Sequence, residues 1–460
     1  MLIIYLGLNK IFSISRVFLY NTQMNKKVYF IGIGGIGISA LAQYYLANGW
    51  QVFGSDLVKS GTTDNLKKLG ARICIGENAK NIENDIKKVI ISPAIKEQNP
   101  ELKRARELKI PVQTYPEALG DLSQENFTIA ISGAHGKSTT TAMVALILIA
   151  AGLDPTVVVG TKLKEFGNSN FRIGKSKYLV IEACEYEDSF LNYLPKIGVI
   201  TNIDKEHLDY FKNLNGVLNS FQKFVAKIGK NGVLVLNGED KNIKKLKNLN
   251  IKKIYFSLKQ KEAEKIRQIL KVPGDYNIRN ALAALSVART LKIPDKVSFS
   301  ALSEFQGTWR RFEIEEKTFK NKKFTYISDY AHHPNEIKAM LKGAREKYPD
   351  KKIWCIFQPH QYQRTHYLFK DFVSVFPKAP VDKLILVPIY SVFGRETNEI
   401  KKKVNSSKLA QKIKEKTAAN KVFYKNSLEK AAEFIKTNLK GGEIVIAMGA
   451  GDIYDFKKLI

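Results

Sequence analysis

The sequence predicts an α/β protein of three consecutive domains, on three observations. Short β-rich runs alternate with helical segments along most of the chain. Two glycine-rich turns, at residues 32–37 and 133–138, each join such a run to a helix. The 460 residues also amount to about three domains at roughly 150 residues each. Hydrophobic residues at 44% and charged residues at 26% exclude a wholly disordered or fibrous chain.

The first unit opens with a strand at 28–33 that feeds Gly32-Ile33-Gly34-Gly35-Ile36-Gly37 and a helix over 39–47. Strands at 51–54, 88–92 and 111–114 follow between helical segments, the alternation that parallel βαβ construction demands. The polar stretch 121–126 reads as a linker. The second unit has strands at 127–132, 178–183, 197–203 and 232–236, an apolar helix over 138–150, and an Ala-rich helix over 280–291 opened by Pro273-Gly274. The third follows Arg310-Arg311-Phe312, with strands at 324–328, 352–357, 383–387 and 443–447 and helices over 335–347 and 427–438. We place the domains at 24–121, 122–313 and 314–460.

Lys and Arg number 74 against 44 Asp and Glu, a formal net charge of +30. The lysines are scattered rather than gathered into a basic block, so they read as a solvated surface that attracts small anionic substrates, not a nucleic-acid footprint. Cys74, Cys184 and Cys355 show neither CxxC spacing nor a disulfide framework, which points to a reducing cytoplasm. No stretch approaches the roughly 20 apolar residues needed to span a bilayer. Residues 1–23 read as a dispensable extension, with Met24 opening the folded protein.

Gly133-Ala134-His135-Gly136-Lys137-Ser138 lies between an apolar strand and an apolar helix, the setting of a phosphate loop. Glycines let backbone N–H groups face phosphate oxygens, and the helix N-terminus adds attraction. Lys137 can reach the β- and γ-phosphates and Ser138 can offer a hydroxyl to Mg²⁺. Only two residues separate the glycines, fewer than in the common nucleotide-binding pattern. In a parallel sheet ligands sit outside the carboxyl ends of strands. Glu182 and His207 follow the next two strands and are therefore expected beside this loop. The six histidines, His135, His207, His332, His333, His360 and His366, are all read beside strand-to-helix turns, as a shared polar site would require.

Gly32, Gly34 and Gly37 form a G-x-G-x-x-G with Asp56 about twenty residues on, a site for a diphosphate group. A nicotinamide dinucleotide and a nucleotide sugar satisfy it equally, so an NAD(P)-dependent dehydrogenase stands as the rival reading. A second, ATP-type loop in the same chain favours a two-nucleotide ligase.

From residue 24 onward the chain resembles the Mur ligases of peptidoglycan synthesis. The resemblance rests on GIGGIGISALA at 32–42, SGAHGKSTTTAM at 132–143, EACEYEDSFL at 182–191 and TNIDKEHLDYF at 201–211. It continues in PGDYNIRNALAA at 273–284, FQGTWRRFE at 305–313, DYAHHPNEIKA at 329–339 and FQPHQYQRT at 357–365. The last two segments look most like the alanine-adding branch. The resemblance implies a Rossmann-like UDP-binding domain, a central P-loop ATPase-type domain and a mobile Rossmann-like C-terminal domain. The implied activity is cytoplasmic and ATP-dependent, joining L-alanine to UDP-N-acetylmuramate through an acyl phosphate. It needs Mg²⁺, as two ions, and no nucleic-acid or membrane partner, and the chain would act as a monomer or homodimer. Joining a murein peptide instead is the alternative within the family.

Carried over residue by residue, Gly133, Ala134, His135, Gly136 and Thr139 would cradle ATP phosphates, with Lys137 on the β/γ-phosphates and Ser138 on one Mg²⁺. Glu182 and His207 would hold a second Mg²⁺. Asn277 and Asn280 look like adenine contacts, with Tyr276 where a histidine is frequent. Asp329 and Tyr330 would approach ATP from the third domain. Arg310 or Arg311, His333, His360 and Arg364 would contact phosphate, the alanine carboxylate or the tetrahedral intermediate. Gly32, Gly34, Gly35, Gly37, Ser39, Asp56 and Ser92 would line the UDP-sugar site. Three departures stand out: Gln361 where arginine is common, Cys184 where aspartate is common, and Phe221 or Gln222 where several relatives carry a carbamylated lysine. Tyr210, Phe211 and Phe221 read as core residues.

Overall fold

The computed structural model describes residues 26–247, 250–392, 396–418 and 420–460; the expectation for 1–23 lies outside them. The first domain is a five-stranded parallel sheet of β1 (Lys27–Ile31), β2 (Gln51–Asp56), β3 (Arg72–Ile75), β4 (Ile86–Ile91) and β5 (Val112–Thr114), in the order 3-2-1-4-5. Helix α1 (Ile36–Ala47) starts directly on the first glycine loop. Residues 121–126, expected as a linker, belong instead to helix α2 (Tyr115–Glu125) up to Glu125. Its start is fixed locally. The Thr114 hydroxyl accepts from the Glu117 N–H, the Glu117 carboxylate takes the Thr114 N–H, and Pro116 sits in the first turn.

The middle sheet has seven strands: β6 (Phe127–Ser132), β7 (Thr156–Leu163), β8 (Ser169–Arg172), β9 (Tyr178–Glu182), β10 (Ile197–Ile200), β11 (Val233–Asn237) and β12 (Lys252–Phe256). Their order is 12-11-10-6-9-7-8, and only the β7–β8 pair is antiparallel. Central strands such as β6 are buried on both faces, which is why they read as unbroken apolar runs rather than alternating ones. Helix α3 (Lys137–Ala150) follows β6, and α4 (Asp275–Thr290) packs against α3. The C-terminal sheet is β13 (Glu313–Phe319), β14 (Lys322–Asp329), β15 (Ile353–Phe357), β16 (Lys383–Leu386), β17 (Val422–Tyr424) and β18 (Ile444–Met448), in the order 13-14-18-15-16-17. The β13–β14 hairpin is its antiparallel edge. Helices α5 (Pro334–Lys347) and α6 (Tyr362–Tyr367) follow β14 and β15.

Strand order positions the site. Strand β6 is flanked by β9 on one side and β10 on the other, so the chain leaves β6 at a switch point, where parallel sheets bind ligands. The carboxyl ends of β14, β15 and β18 face this point across the cleft, as the hydrogen bonds below establish. Between the first two domains, one apolar cluster runs from Phe30 and Leu41 through Leu119 to Leu179, Phe190 and Phe224. The sequence reading missed β3, β7, β8, β12, β13 and β17. All but β7 are edge strands, and β7, largely buried, lies next to the edge strand β8. The partial exposure of the edge strands breaks the apolar run that marks a buried strand, as in the charged, alternating β13.

Gly54 lies where β2 runs closest to β1: a Cβ there would sit 2.6 Å from the Phe30 carbonyl oxygen and 2.8 Å from Ile33 Cδ1. Gly54→Ala is expected to destabilise the first domain by about 1–3 kcal/mol through overpacking, read as a lower urea midpoint of its unfolding transition. An unchanged midpoint would show that the two strands can part at no cost.

Candidate active site

The phosphate loop leaves β6 at Ser132 and turns through Gly133 (φ 133°) and Gly136 (φ 83°). A Cβ at either would collide, with Thr201 at the first and with the Asn280 amide at the second, so both positions require glycine. The segment after β10 braces the loop. Asn202 accepts the His135 N–H at 2.9 Å and returns its amide to the His135 carbonyl at 2.8 Å, and the Thr201 hydroxyl donates to the same carbonyl at 2.6 Å. Sequence reasoning gave Thr201 and Asn202 no role, although they stand inside a quoted motif.

Lys137 points back into its loop, donating to the carbonyls of Gly133 at 2.6 Å and Ala134 at 3.2 Å. It also pairs with Glu185 at 3.0 Å, a carboxylate only 1% exposed. Burial is the largest influence and opposes the lysine's charge, but Glu185 and Glu182 together outweigh it and hold the ammonium above its ordinary range. Glu185 was not among the expected residues. The expected Glu182 accepts the Gly160 N–H at 2.8 Å and faces the same cleft. His207 lies there too, its Nε2 4.0 Å from Glu185, and burial lowers its pKa and favours the neutral ring. Cys184, whose thiol burial pushes up to about 12, contributes no negative charge.

His135 joins the middle domain to the C-terminal one. Its Nε2 is 3.2 Å from Asp204 and its Nδ1 3.2 Å from Glu336 on α5. Burial works against its charge, yet the two carboxylates raise its pKa to about 10, so the ring is an imidazolium at neutral pH. Asn335 also donates to Asp204, at 2.5 Å. A second crossing is Arg364, 3.4 Å from buried Glu206 and donating to His360 Nδ1 at 3.2 Å. The His360 ring stacks on Tyr390.

Asp329, at the end of β14, is buried, which pushes its pKa up to about 6, and it accepts the N–H groups of Phe312 and Ala331 at 2.8 Å each. Arg310, expected at ATP, lines the cleft and is tied to backbone there. Its guanidinium donates to the Gly449 and Gly451 carbonyls at 2.7 and 3.0 Å and lies among Trp309, Tyr330 and Tyr454. Backbone at positive φ through Gly307, Arg310 and Phe312 shapes this turn, and Arg311 reaches the lining of both the cleft and the cavity beside it. Tyr330, its N–H on the Arg310 carbonyl, also lines the cleft.

Two connected spaces result. A cavity of about 330 Å³ lies between α3, α4 and α5, walled by Phe256, Val272, Tyr276 and Phe305, with Asn277, Asn280, Thr139 and Asp329 on its lining. The Asn277 amide donates to the Pro273 carbonyl at 2.7 Å. A cleft of about 460 Å³ adjoins it and shares Ser138, Arg311 and Glu336. Lys137, Glu182, His207, His360 and Arg364 converge on that cleft, and Ile36 of the first domain closes one side. His333 lies behind it, capping α5 through Nδ1.

At the first glycine loop Asp56 accepts the Gly34 N–H at 2.8 Å, and Gly32 packs against Ser92. A Cβ on Gly37 would sit 2.9 Å from the Tyr115 ring. Gly35 is exposed, but Ser39 is not on an open wall as expected. It is fully buried and accepts from Asn170 of the middle domain at 3.2 Å. Tyr210, expected in the core, is 41% exposed and donates to Asp188 from a one-turn helix whose Phe211 is the buried neighbour; Phe221 is fully buried. Gln222 bonds the backbone of Lys247, away from the cleft. His366 lies exposed within α6 rather than at a turn.

Three α/β domains around one cleft, with a phosphate loop at its floor and an apolar cavity beside it, define an ATP-binding ligase fold. The chain belongs to the Mur ligase family. Family models match in order: Mur ligase family, catalytic domain, at residues 27–126; Mur ligase middle domain at 131–288; and Mur ligase, glutamate ligase domain, at 310–451. A UDP-N-acetylmuramate–L-alanine ligase from Clostridium acetobutylicum is 42% identical over 456 residues, 94% of this chain and 96% of that one. The crystal structure of a UDP-N-acetylmuramate–alanine ligase from Thermotoga maritima is 28% identical, with a TM-score of 0.76 over 94% of this chain and 98% of that one. A murein peptide ligase from Psychrobacter arcticus shares the fold at 21% identity, with a TM-score of 0.68 over 94% of this chain and 98% of that one.

The His135 bridge sets a pH dependence. A folded-state pKa raised from 6.5 to about 10 means the contribution is complete below pH 6.5 and is lost as the pH climbs through 10. The melting temperature of the protein should therefore exceed that of His135→Gln at pH 6, with the gap narrowing by pH 10.5. A constant gap would show that the ring carries no charge in the fold.

Proposed function

We propose that this protein joins L-alanine to UDP-N-acetylmuramate at the expense of ATP. The observation that carries the reading is the continuity of the purine-sized cavity, the Lys137 loop and the cationic cleft between domains. The near full-length similarity to alanine-adding ligases supports this acceptor over a peptide. Membership of a ligase family weighs against the dehydrogenase reading of the first glycine loop.

A carboxylate is a poor acyl donor, being anionic and without a leaving group. Its attack on the γ-phosphorus breaks the β–γ anhydride, releasing ADP and giving an acyl phosphate. The neutral amine of alanine then adds to the acyl carbon and expels inorganic phosphate through a tetrahedral intermediate, losing its proton to form the amide. This chain's part is positioning and charge compensation. Lys137 exchanges Glu185 and two carbonyls for the β/γ-phosphates, the open face of Gly34 and Gly35 receives the UDP diphosphate, and the adenine enters beside Asn277 and Asn280. His360 and Arg364 offer donors for the alanine carboxylate or the tetrahedral oxyanion. Closure by the C-terminal domain keeps water from the acyl phosphate.

The oxygen donors Ser138 and Glu182 suit Mg²⁺, and neutral His207 can add a nitrogen, so these residues would hold Mg²⁺, which the reading takes as two ions. Bound there, Mg²⁺ would neutralise phosphate charge. No helix among the described residues is long and apolar enough to cross a membrane, and the reading is of a cytoplasmic monomer or homodimer needing neither membrane nor nucleic acid.

Phosphate release from ATP and Mg²⁺ tests the reading. It should require both UDP-N-acetylmuramate and L-alanine and yield a product heavier by one alanyl residue. Release that needs a peptide instead would move the acceptor to the recycling type, and release with no combination would overturn the ligase. Lys137→Ala should lower turnover on the order of 10²–10³-fold or more. His207→Ala should depress turnover far more than ATP affinity, and near-normal turnover would remove His207 from the metal set.

A further inference from the structure

Where the middle and C-terminal domains meet, at the boundary of the cavity that His135 lines and the cleft that Glu206 lines, three potential ligands converge beside the Ser138, Glu182 and His207 set. Ligand atoms of His135, Glu206 and His333 all lie within 4.8 Å of one another. Two of the three residues are more than nine-tenths buried, Glu206 at 6% exposure and His333 at 4%. Each of those two also has a buried atom without a hydrogen-bond partner, Oε1 of Glu206 and Nε2 of His333. A buried carboxylate oxygen and a buried imidazole nitrogen, each left unpaired within one cluster, are costly unless something satisfies them.

We propose that His135, Glu206 and His333 form a site for one borderline-soft transition-metal dication, with Zn²⁺ and Co²⁺ as representatives, distinct from the Mg²⁺ positions and independent of the ligase reading. Two imidazoles and one carboxylate are the donor set such ions prefer, whereas Mg²⁺ favours oxygen ligands.

The surrounding residues already supply the outer partners that metal-bound side chains need. Glu336 sits 3.2 Å from His135 Nδ1, leaving Nε2 to turn toward the ion. Asp204, now on His135 Nε2, is 3.9 Å from His333 Nδ1 and becomes its acceptor once His135 lets go. Arg364 holds Glu206 by Oε2, the oxygen other than the unpaired one. Binding breaks the His135–Asp204 bond, releases the His135 Nε2 proton to solvent, and costs the 3.3 Å cap that His333 Nδ1 accepts from the Asn335 N–H. His135 and Glu206 belong to the middle domain and His333 to the C-terminal one, so the ion would tie the two together.

Calorimetric titration of the full chain with Zn²⁺ in millimolar Mg²⁺, paired with Co²⁺ visible absorption, tests this. The expected result is one Zn²⁺ per chain that excess Mg²⁺ does not displace, and Co²⁺ bands of a four-coordinate site. Glu206→Gln and His333→Asn should each weaken binding at least about 10-fold, asparagine keeping a capping side chain on α5. Asp204→Asn should weaken it by about 10–100-fold. Metal-free melting curves establish that the variants fold. Absence of Zn²⁺ uptake would overturn the site, as would an affinity that ignores Glu206→Gln and His333→Asn. Loss of binding in Cys74→Ser or His207→Ala, with those two variants normal, would overturn it equally.

Discussion

A protonated imidazole set between two carboxylates is the contact on which the shape of the cleft rests. His135 belongs to the phosphate loop, Asp204 to the segment after β10, and Glu336 to the first turn of α5 in another domain. Through these two bonds the loop that would grip phosphate also fixes where the C-terminal domain sits. Charge-assisted bonds in a partly buried setting are stronger than exposed ion pairs, which are worth little. One residue thus couples ligand-binding geometry to domain position.

The rest of the site follows the same logic of buried charges held by specific partners. Lys137 stays charged because Glu185 faces it, and Glu206 stays ionised, against its burial, with the Arg364 guanidinium opposite it. Arg310 shows the opposite solution. Two backbone carbonyls and three aromatic rings take its guanidinium, making it the pin of the turn between domains. Burial lowers its pKa without neutralising it. A charged residue next to a motif is therefore not automatically a ligand group, and the neighbour, Arg311, reaches both the cleft and the cavity.

Much of the fold was legible because buried parallel strands advertise themselves. Strands β6, β15 and β18 are apolar on both faces and end in glycine or polar turns. Edge strands such as β3 and β13 carry charged, half-exposed residues and looked like loops. Helix α2 was half hidden because Asp121, Gln124 and Glu125 lie on its polar side, although its capping signal, Thr114-Tyr115-Pro116-Glu117, was present in the chain. The site residues that the sequence did supply, such as Lys137, Glu182 and His207, all sit at or after the carboxyl ends of strands, where chain order and sheet order together leave little freedom.

What the sequence determined by itself was the alternation of elements, the two glycine loops and the order of motifs, because these depend on local backbone conformation and on burial patterns that repeat within one element. Tertiary structure alone decided partnership. Glu185 rather than Glu182 on Lys137, Arg311 rather than Arg310 in the cavity, and Ser39 closed off by Asn170 all depend on contacts between segments far apart in the chain. A side chain's direction and charge state are set by what folds against it, and neither spacing nor composition encodes that neighbour.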